Sequence, residues 1–294
     1  MISNAYGIYI TGGENNTFSN NNLVNNTAFG FYLQASANNN TLFNNNVSAN
    51  ASIASSATAA FYLGSSGNRL YNNSAEVISN GFFINNSAAY NNLTNNTAIN
   101  NTFAGFNLTS ANSNIINNNF VRGAQSFGFS VGAISNNNNI SNNSVYNNSQ
   151  GFYVFNNNNN TFVNNTVNNN SVLGLNFTSV FNSTIANNTA RNETFGLSFG
   201  TSANNTISRN LVTNTTQAIR LQVSENNTLS NNTLANNTQY GIYLFTSGNN
   251  TLANNTAINN SIYGFFIQQS YGINLSFNNA TNNEKLLEVT GFFV

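Results

Sequence analysis

The chain has 294 residues, six basic and six acidic, and charged side chains make up only 4% of it. A net charge of zero gives it no electrostatic pull toward nucleic acid or an anionic membrane surface. With no His, no Cys and no Asp, it lacks the parts for a Ser-His-Asp triad, for disulfides and for a soft-metal centre.

From Gly7 onward one unit repeats to the end. It is clearest at 241–263, GIYLFTSGNNTLANNTAINNSIY. The residues that open each unit are Gly7, Gly30, Ala60, Gly81, Gly105, Gly128, Gly151, Gly174, Gly196, Ala218, Gly241, Gly264 and Gly291. A period of about 23 residues signals a solenoid, propeller or array. No stretch keeps a 3.6 period, and Asn, Thr, Gly and Ser are poor helix formers, so helical repeats are excluded.

One residue past each opener the chain is apolar, from Ile8, Phe31 and Phe61 through Leu197, Ile219 and Ile242 to Phe265 and Phe292. Two residues further it is apolar again, as at Ile10, Leu33, Leu63, Phe199, Leu244, Ile267 and Val294. Apolar, other, apolar is the period of a strand buried on one face. A second short strand carries Phe18, Leu42, Leu70 and their successors to Leu275, and a third carries Leu23, Val47, Ala75 and so on to Ala280. The four columns form a narrow continuous core.

Three residues after the second-strand column the residue never varies. It is Asn21, Asn45, Asn73, Asn96, Asn119, Asn143, Asn165, Asn188, Asn210, Asn232, Asn255 and Asn278. Asn tolerates the left-handed region and can turn the chain, and its amide can donate to one coil and accept from the other. Stacked at the inter-strand spacing of ~4.8 Å, these residues should form a ladder. The Asn-Asn-Thr triplets around them, such as Asn164-Asn165-Thr166, are formal glycosylation acceptors whose repetition follows from the turn. Several of those Asn should point inward.

Local departures are few. Residues 51–60, ASIASSATAA, read as a small-residue loop inserted before the next coil. Arg191, Glu193, Arg209, Arg220 and Glu225 form the main charge cluster and are expected to pair on the surface. Glu284, Lys285 and Glu288 suggest an exposed terminal turn.

This pattern resembles the right-handed parallel β-helix of the pectin-lyase-like superfamily, and more narrowly the NosD-type, carbohydrate-binding and sugar-hydrolase repeats. The resemblance implies an all-β, right-handed, single-stranded parallel β-helix of about twelve coils of 22–24 residues, with three short strands per coil. Residues 1–294 are expected to be one such domain, a piece of a longer repeat protein, since neither end carries a polar capping repeat. The same scaffold serves lyases, hydrolases, epimerases and adhesins, so function must be read from its surface.

Lyase or hydrolase chemistry needs several carboxylates together, and six scattered Glu supply no such group along the body of the chain. The remaining candidate is an aromatic stripe facing outward from the first strand, Tyr9, Tyr32, Tyr62 and Phe83, expected to be exposed and coplanar. Such rings, flanked by amides, suit sugar rings. The sequence therefore reads as a non-enzymatic structural or adhesive rod of a secreted or cell-surface protein, without cofactor or metal. Its expected partners are polysaccharide or surface glycans, and adjoining repeats or neighbouring subunits at its uncapped ends. No membrane insertion is expected. The alternative is a polysaccharide lyase or hydrolase scaffold whose catalytic residues lie outside this segment. An ice-binding face built on Thr17, Thr161, Thr184, Thr206, Thr228 and Thr251 is a minor third reading.

Overall fold

Residues 4–49 and 58–291 are described by the structure, a computed structural model. The expected loop at 51–60 falls mostly on undescribed residues, as do Phe292 and Val294; Ala59 and Ala60 belong to a long strand, Ala59–Leu63. No helix occurs among the described residues. The fold is a right-handed parallel β-solenoid of about twelve coils, and it divides into two compact units, Met1–Ser149 and Gln150–Val294.

In the first unit each coil holds a long strand of five or six residues and two strands of three, as in Asn80–Ile84, Asn92–Thr94 and Thr97–Ile99. Equivalent strands of successive coils pair in parallel, so three sheets run along the unit. The second unit repeats this plan with long strands of six to nine residues, such as Gln150–Asn158 and Tyr240–Phe245. It adds a strand at Lys285–Thr290, where the sequence suggested a solvated turn.

The registers are those of the columns. Phe31, Phe61, Phe82, Phe106 and Phe129 lie opposite one another on successive coils, all fully buried. Their rings stack face to face at 5.3, 4.8, 4.7 and 4.9 Å, within 13° of parallel. Each stacked pair adds about 0.5–1.5 kcal/mol beyond its burial. In the second unit the same column runs from Phe152 through the aliphatic Leu175, Leu197, Ile219 and Ile242 to Phe265 and Leu287. The opener is small because it faces the third strand of its own coil. A Cβ on Gly30 would lie 2.3 Å from Val47 Cγ1 and 2.6 Å from the Ala60 carbonyl oxygen.

The Asn ladder forms as the columns require. Asn45 is typical: its Oδ1 accepts from the Asn21 backbone N and Nδ2 (3.0 and 2.9 Å), while its own Nδ2 donates to Phe18 O and Asn73 Oδ1 (2.9 and 3.0 Å). All four bonds of the amide are thereby made in a buried site. In the second unit Asn188, Asn210, Asn232, Asn255 and Asn278 continue the motif at 2.9–3.1 Å.

Two details differ from expectation. The ladder Asn does not itself turn the chain. The residue before it does, at φ of 55–58° for Asn20, Asn44, Asn72, Asn95, Asn118 and Asn142. Each Asn pair thus divides the work: the first residue takes the left-handed corner and faces solvent, and the second is buried. In the Asn-Asn-Thr triplets the acceptor is the corner residue, as at exposed Asn164, Asn187 and Asn231, so these acceptors point outward rather than in. Further stacks exist at the other corners. Asn68, Asn91 and Asn114 form one at 3.1 Å per step. Ser202, Ser224, Ser247 and Ser270 form another, each hydroxyl accepting a backbone N–H at 3.0–3.1 Å.

Candidate saccharide-binding face

The long strands present three outward positions per coil: the residue before the opener, the residue two beyond it and the residue four beyond it. Those positions gather most of the surface rings.

In the first unit one group of rings is Tyr6, Tyr9, Phe29, Tyr32, Tyr62 and Phe83, and Phe127 lies on a later coil. Tyr6 stacks on Tyr9 at 5.0 Å, Phe29 meets Tyr32 at 4.6 Å, and Tyr32 stacks on Tyr62 at 4.7 Å and 7°. The expected stripe is neither uniformly exposed nor coplanar. Tyr9 is 50% exposed, Tyr32 and Phe83 are half-buried, and Tyr62 is 6% exposed. Tyr9 is tilted 53° from Tyr32, and Phe83 meets Tyr62 edge-on at 88°. The Tyr62 hydroxyl accepts from Asn86 Nδ2 at 2.7 Å, and burial, then the Tyr32 hydroxyl, pushes its pKa up. Tyr6, the residue before Gly7, is 41% exposed. A reading that starts each strand at the opener passes over it.

In the second unit one group of rings is Tyr240, Tyr243, Tyr263 and Phe266, with Phe245 beside them, and Tyr153 with Phe155, and Phe195, lie on earlier coils. Tyr243 stacks on Phe266 at 5.0 Å and 8°, and Tyr263 on Phe266 at 4.8 Å and 22°. Both units share one detail. The Tyr9 hydroxyl donates to Gln34 Oε1 at 2.6 Å, and the Tyr243 hydroxyl to Gln268 Oε1 at 2.7 Å. A Gln on the following coil thus fixes the tyrosine and sets an amide at the edge of the rings.

The charged residues do not pair as expected. Arg191 ends a strand facing outward, but Asn192, at φ 60°, turns the chain, and Glu193 then points into the interior. There it occupies a rung of a corner stack, 5% exposed, its Oε1 accepting from Asn170 Nδ2 at 3.1 Å. Burial pushes its carboxyl up to about 8, against a smaller lowering by the Asn170 hydrogen bonds. The Glu225 carboxylate accepts from the Tyr271 hydroxyl at 3.0 Å. Among the described residues the one ion pair is Lys285–Glu288 at 3.0 Å, which leaves Arg220 on the outer face with no carboxylate beside it.

The family model for the right-handed β-helix region matches residues 2–121, 50–190 and 113–221, and the chain belongs to that family. Residues 175–293 are also similar to the model of the periplasmic copper-binding protein NosD. The donors in that segment do not suit copper. It has no His, Cys or Met, and of its four Glu, Glu193 is locked in the stack, Glu225 holds Tyr271, Glu288 holds Lys285, and Glu284 is a single exposed carboxylate. No curated protein matches the chain.

Among solved structures, the catalytic domain of a GH87 alpha-1,3-glucanase in complex with nigerose is similar at 17% identity and a TM-score of 0.60, over 98% of this chain and 63% of that one. The periplasmic alginate epimerase AlgG is similar at 16% identity and 0.57, over 94% and 74%. The A-module of an Azotobacter vinelandii mannuronan C-5 epimerase is similar at 13% and 0.54, over 94% and 81%. The chain thus spans 63% of the length of the glucanase domain. At these identities the likeness is one of fold. It nevertheless overturns the expectation of a purely non-enzymatic rod, because the same architecture forms the catalytic domain of a glucanase and occurs in alginate and mannuronan epimerases.

Proposed function

We propose that this chain is the polysaccharide-holding scaffold of a carbohydrate-active enzyme, and that the outer face of its first sheet carries the saccharide. The observation that carries this reading is the grouping of rings on that face, each group edged by a Tyr–Gln hydrogen bond: Tyr6, Tyr9 and Tyr32 in one unit, and Tyr240, Tyr243, Tyr263 and Phe266 in the other. Sugar rings stack their C–H faces on such rings while their hydroxyls meet the amides, and exposed rings on so polar a surface mark a contact site. Tyr62 stacks on Tyr32 and holds its plane, with Phe83 edge-on against Tyr62. The catalytic carboxylates come from segments outside these residues, since the chain has no Asp and Glu288, held by Tyr263 and Lys285 beside the rings of the second unit, is a lone carboxylate there. A polysaccharide partner places the protein outside the cytoplasm, at the cell surface or beyond.

Affinity electrophoresis through gels containing an α-glucan or alginate tests this reading. The protein should be retarded in at least one gel, and Tyr6→Ala with Tyr9→Ala, or Tyr240→Ala with Tyr243→Ala, should restore mobility. Unretarded migration of the unaltered protein in every gel would refute it.

A further inference from the structure

The Asn-Asn-Thr triplets hold more than their corners need. Between the second and third strands of the coils in the second unit, the left-handed residues are Asn164, Asn187, Arg209, Asn231 and Asn254. Their backbone N–H groups donate to the next coil, to the carbonyls of Ala186, Ser208, Ser230, Ala253 and Ser276, at 3.0–3.1 Å. Arginine makes the same bond as asparagine. All five side chains are exposed, and no hydrogen bond among the described residues engages the four Asn amides. Two residues on, Thr166, Thr189, Leu211, Thr233 and Thr256 open the third strands in register, facing outward. Leucine occupies this position between two threonines, so the strand does not require the hydroxyl. The left-handed backbone accounts for the asparagine. It does not account for the hydroxyl.

The two nevertheless come and go together. Arg209 is accompanied by Leu211. At the other left-handed corners that flank the second and third strands, Gly67, Tyr90, Ser113, Gly123, Gly272 and Phe277 replace asparagine. Two residues after them stand Arg69, Asn92, Ile115, Gln125, Asn274 and Asn279, none a hydroxyl. Val77, followed by Ser79, is the exception among the described corners. Of the left-handed Asn at these corners, Asn20, Asn44, Asn118, Asn137 and Asn282 lack a Ser or Thr two residues on, and the rest have one. A link between two side chains that share no contact points to an outside agent that reads both.

A solvent-facing asparagine with a hydroxyl two residues later is the acceptor of N-linked glycosylation. We propose that the corner Asn of these triplets, Asn164, Asn187, Asn231 and Asn254 foremost, carry N-linked glycans. In the transfer, Asn Nδ2 forms a bond to the anomeric carbon of a lipid-diphosphate-linked oligosaccharide. The bond from that carbon to the diphosphate oxygen breaks, the lipid diphosphate leaves with the electron pair, and Nδ2 gives up one proton. The middle residue of each triplet, Asn165, Asn188, Asn232 or Asn255, is a buried ladder rung. A transferase can hold the triplet only before the coil closes, and the closed coil then leaves the sugar in solvent. The inference requires the location outside the cytoplasm proposed above and is independent of the aromatic face.

The test is mass spectrometry of the full chain recovered from the cells that naturally make it. Its intact mass should exceed that of the bare polypeptide, and fragmented glycopeptides should place glycans on Asn164, Asn187, Asn231 and Asn254. The in-strand triplet Asn107-Leu108-Thr109 should be bare, because Asn107 is buried with its Nδ2 donating to Asn80 Oδ1 at 3.1 Å. Thr233→Val should abolish the glycan on Asn231 and Thr233→Ser should keep it, with thermal melts showing both variants folded. A bare chain recovered from outside the cytoplasm overturns the proposal and leaves the proposed function standing. A bare chain found inside the cytoplasm overturns both the glycans and the location. A glycan on Asn231 that survives Thr233→Val, or glycans found only on Ser and Thr hydroxyls, overturns the assignment to these triplets.

Discussion

Glu193→Gln should make the protein more stable at neutral and alkaline pH. The Glu193 carboxyl is 5% exposed, lies between Asn170 and Thr215 in a corner stack, and has a pKa raised from 4.5 to about 8. Its Oε1 serves as the rung's acceptor, but Oε2 has no partner where an Asn would place its donating Nδ2. A protonated carboxyl mimics the amide, whereas an ionised one buries an uncompensated charge. The folded state therefore binds the proton more tightly than the unfolded chain. The resulting stability is fully present below about pH 4.5, declines as pH rises, and is gone above about pH 8. At about 1.4 kcal/mol per pH unit the ceiling is about 5 kcal/mol, and local relaxation will reduce it. Glutamine keeps the acceptor and supplies the donor at every pH. Urea midpoints across that range should fall with pH for the unaltered protein and stay nearly level for Glu193→Gln, the curves separating by several kcal/mol at the alkaline end. Parallel profiles, or a variant less stable above pH 8, would show that Glu193 is not a buried rung.

Asn210→Asp should cost about 3–5 kcal/mol, because it deletes the donations to Ile185 O and Asn232 Oδ1 and buries a charge or an unsatisfied group; a urea-midpoint change within the ~0.5 kcal/mol of ordinary surface substitutions would contradict a ladder role. Phe106→Ala removes the ring stacked between Phe82 and Phe129 and should cost about 3–5 kcal/mol by the same measurement. Gly30→Ala should destabilise by about 1–3 kcal/mol, since its Cβ meets Val47 and the Ala60 carbonyl. Tyr9→Ala, at a half-exposed position, should leave the melting temperature almost unchanged while weakening polysaccharide retention.

The interior was legible because one physical requirement repeats in every coil. A position such as Ile207 or Leu229 can only face the core, and the residue three beyond it must satisfy a buried backbone corner. The other corners were harder to read because several side chains can serve there. A Ser hydroxyl accepts the same backbone N–H as an Asn amide, so Ser183 replaces an Asn in the stack that Asn91 and Asn114 announce, and Ser202 and Ser224 hide a separate one. Glu193 was misjudged for a related reason: it stands two positions after Arg191, but the left-handed Asn192 between them sends one outward and the other inward. On the surface, the rings at Tyr9, Tyr32 and Tyr243 could be placed by alternation alone, whereas the exposure of each could not. Tyr62 sinks to 6% exposure through packing that no period records, and Tyr6, Tyr240 and Tyr263 join the face because each strand begins one residue earlier than its glycine suggests.

The twelve tyrosines of the chain provide the most direct test of the saccharide face. Hydroxyl-radical footprinting, with and without an oligosaccharide that the protein retains, reads the accessibility of each one. Tyr71 and Tyr146 lie on the other two sheets and Tyr90 is 73% exposed away from the rings, so they serve as internal controls. Protection at Tyr6, Tyr9, Tyr240, Tyr243 and Tyr263, with Tyr71, Tyr90 and Tyr146 unchanged, is the expected result. Protection centred on Tyr71 or Tyr146, or spread evenly over all of them, would contradict a saccharide site on the outer face of the first sheet.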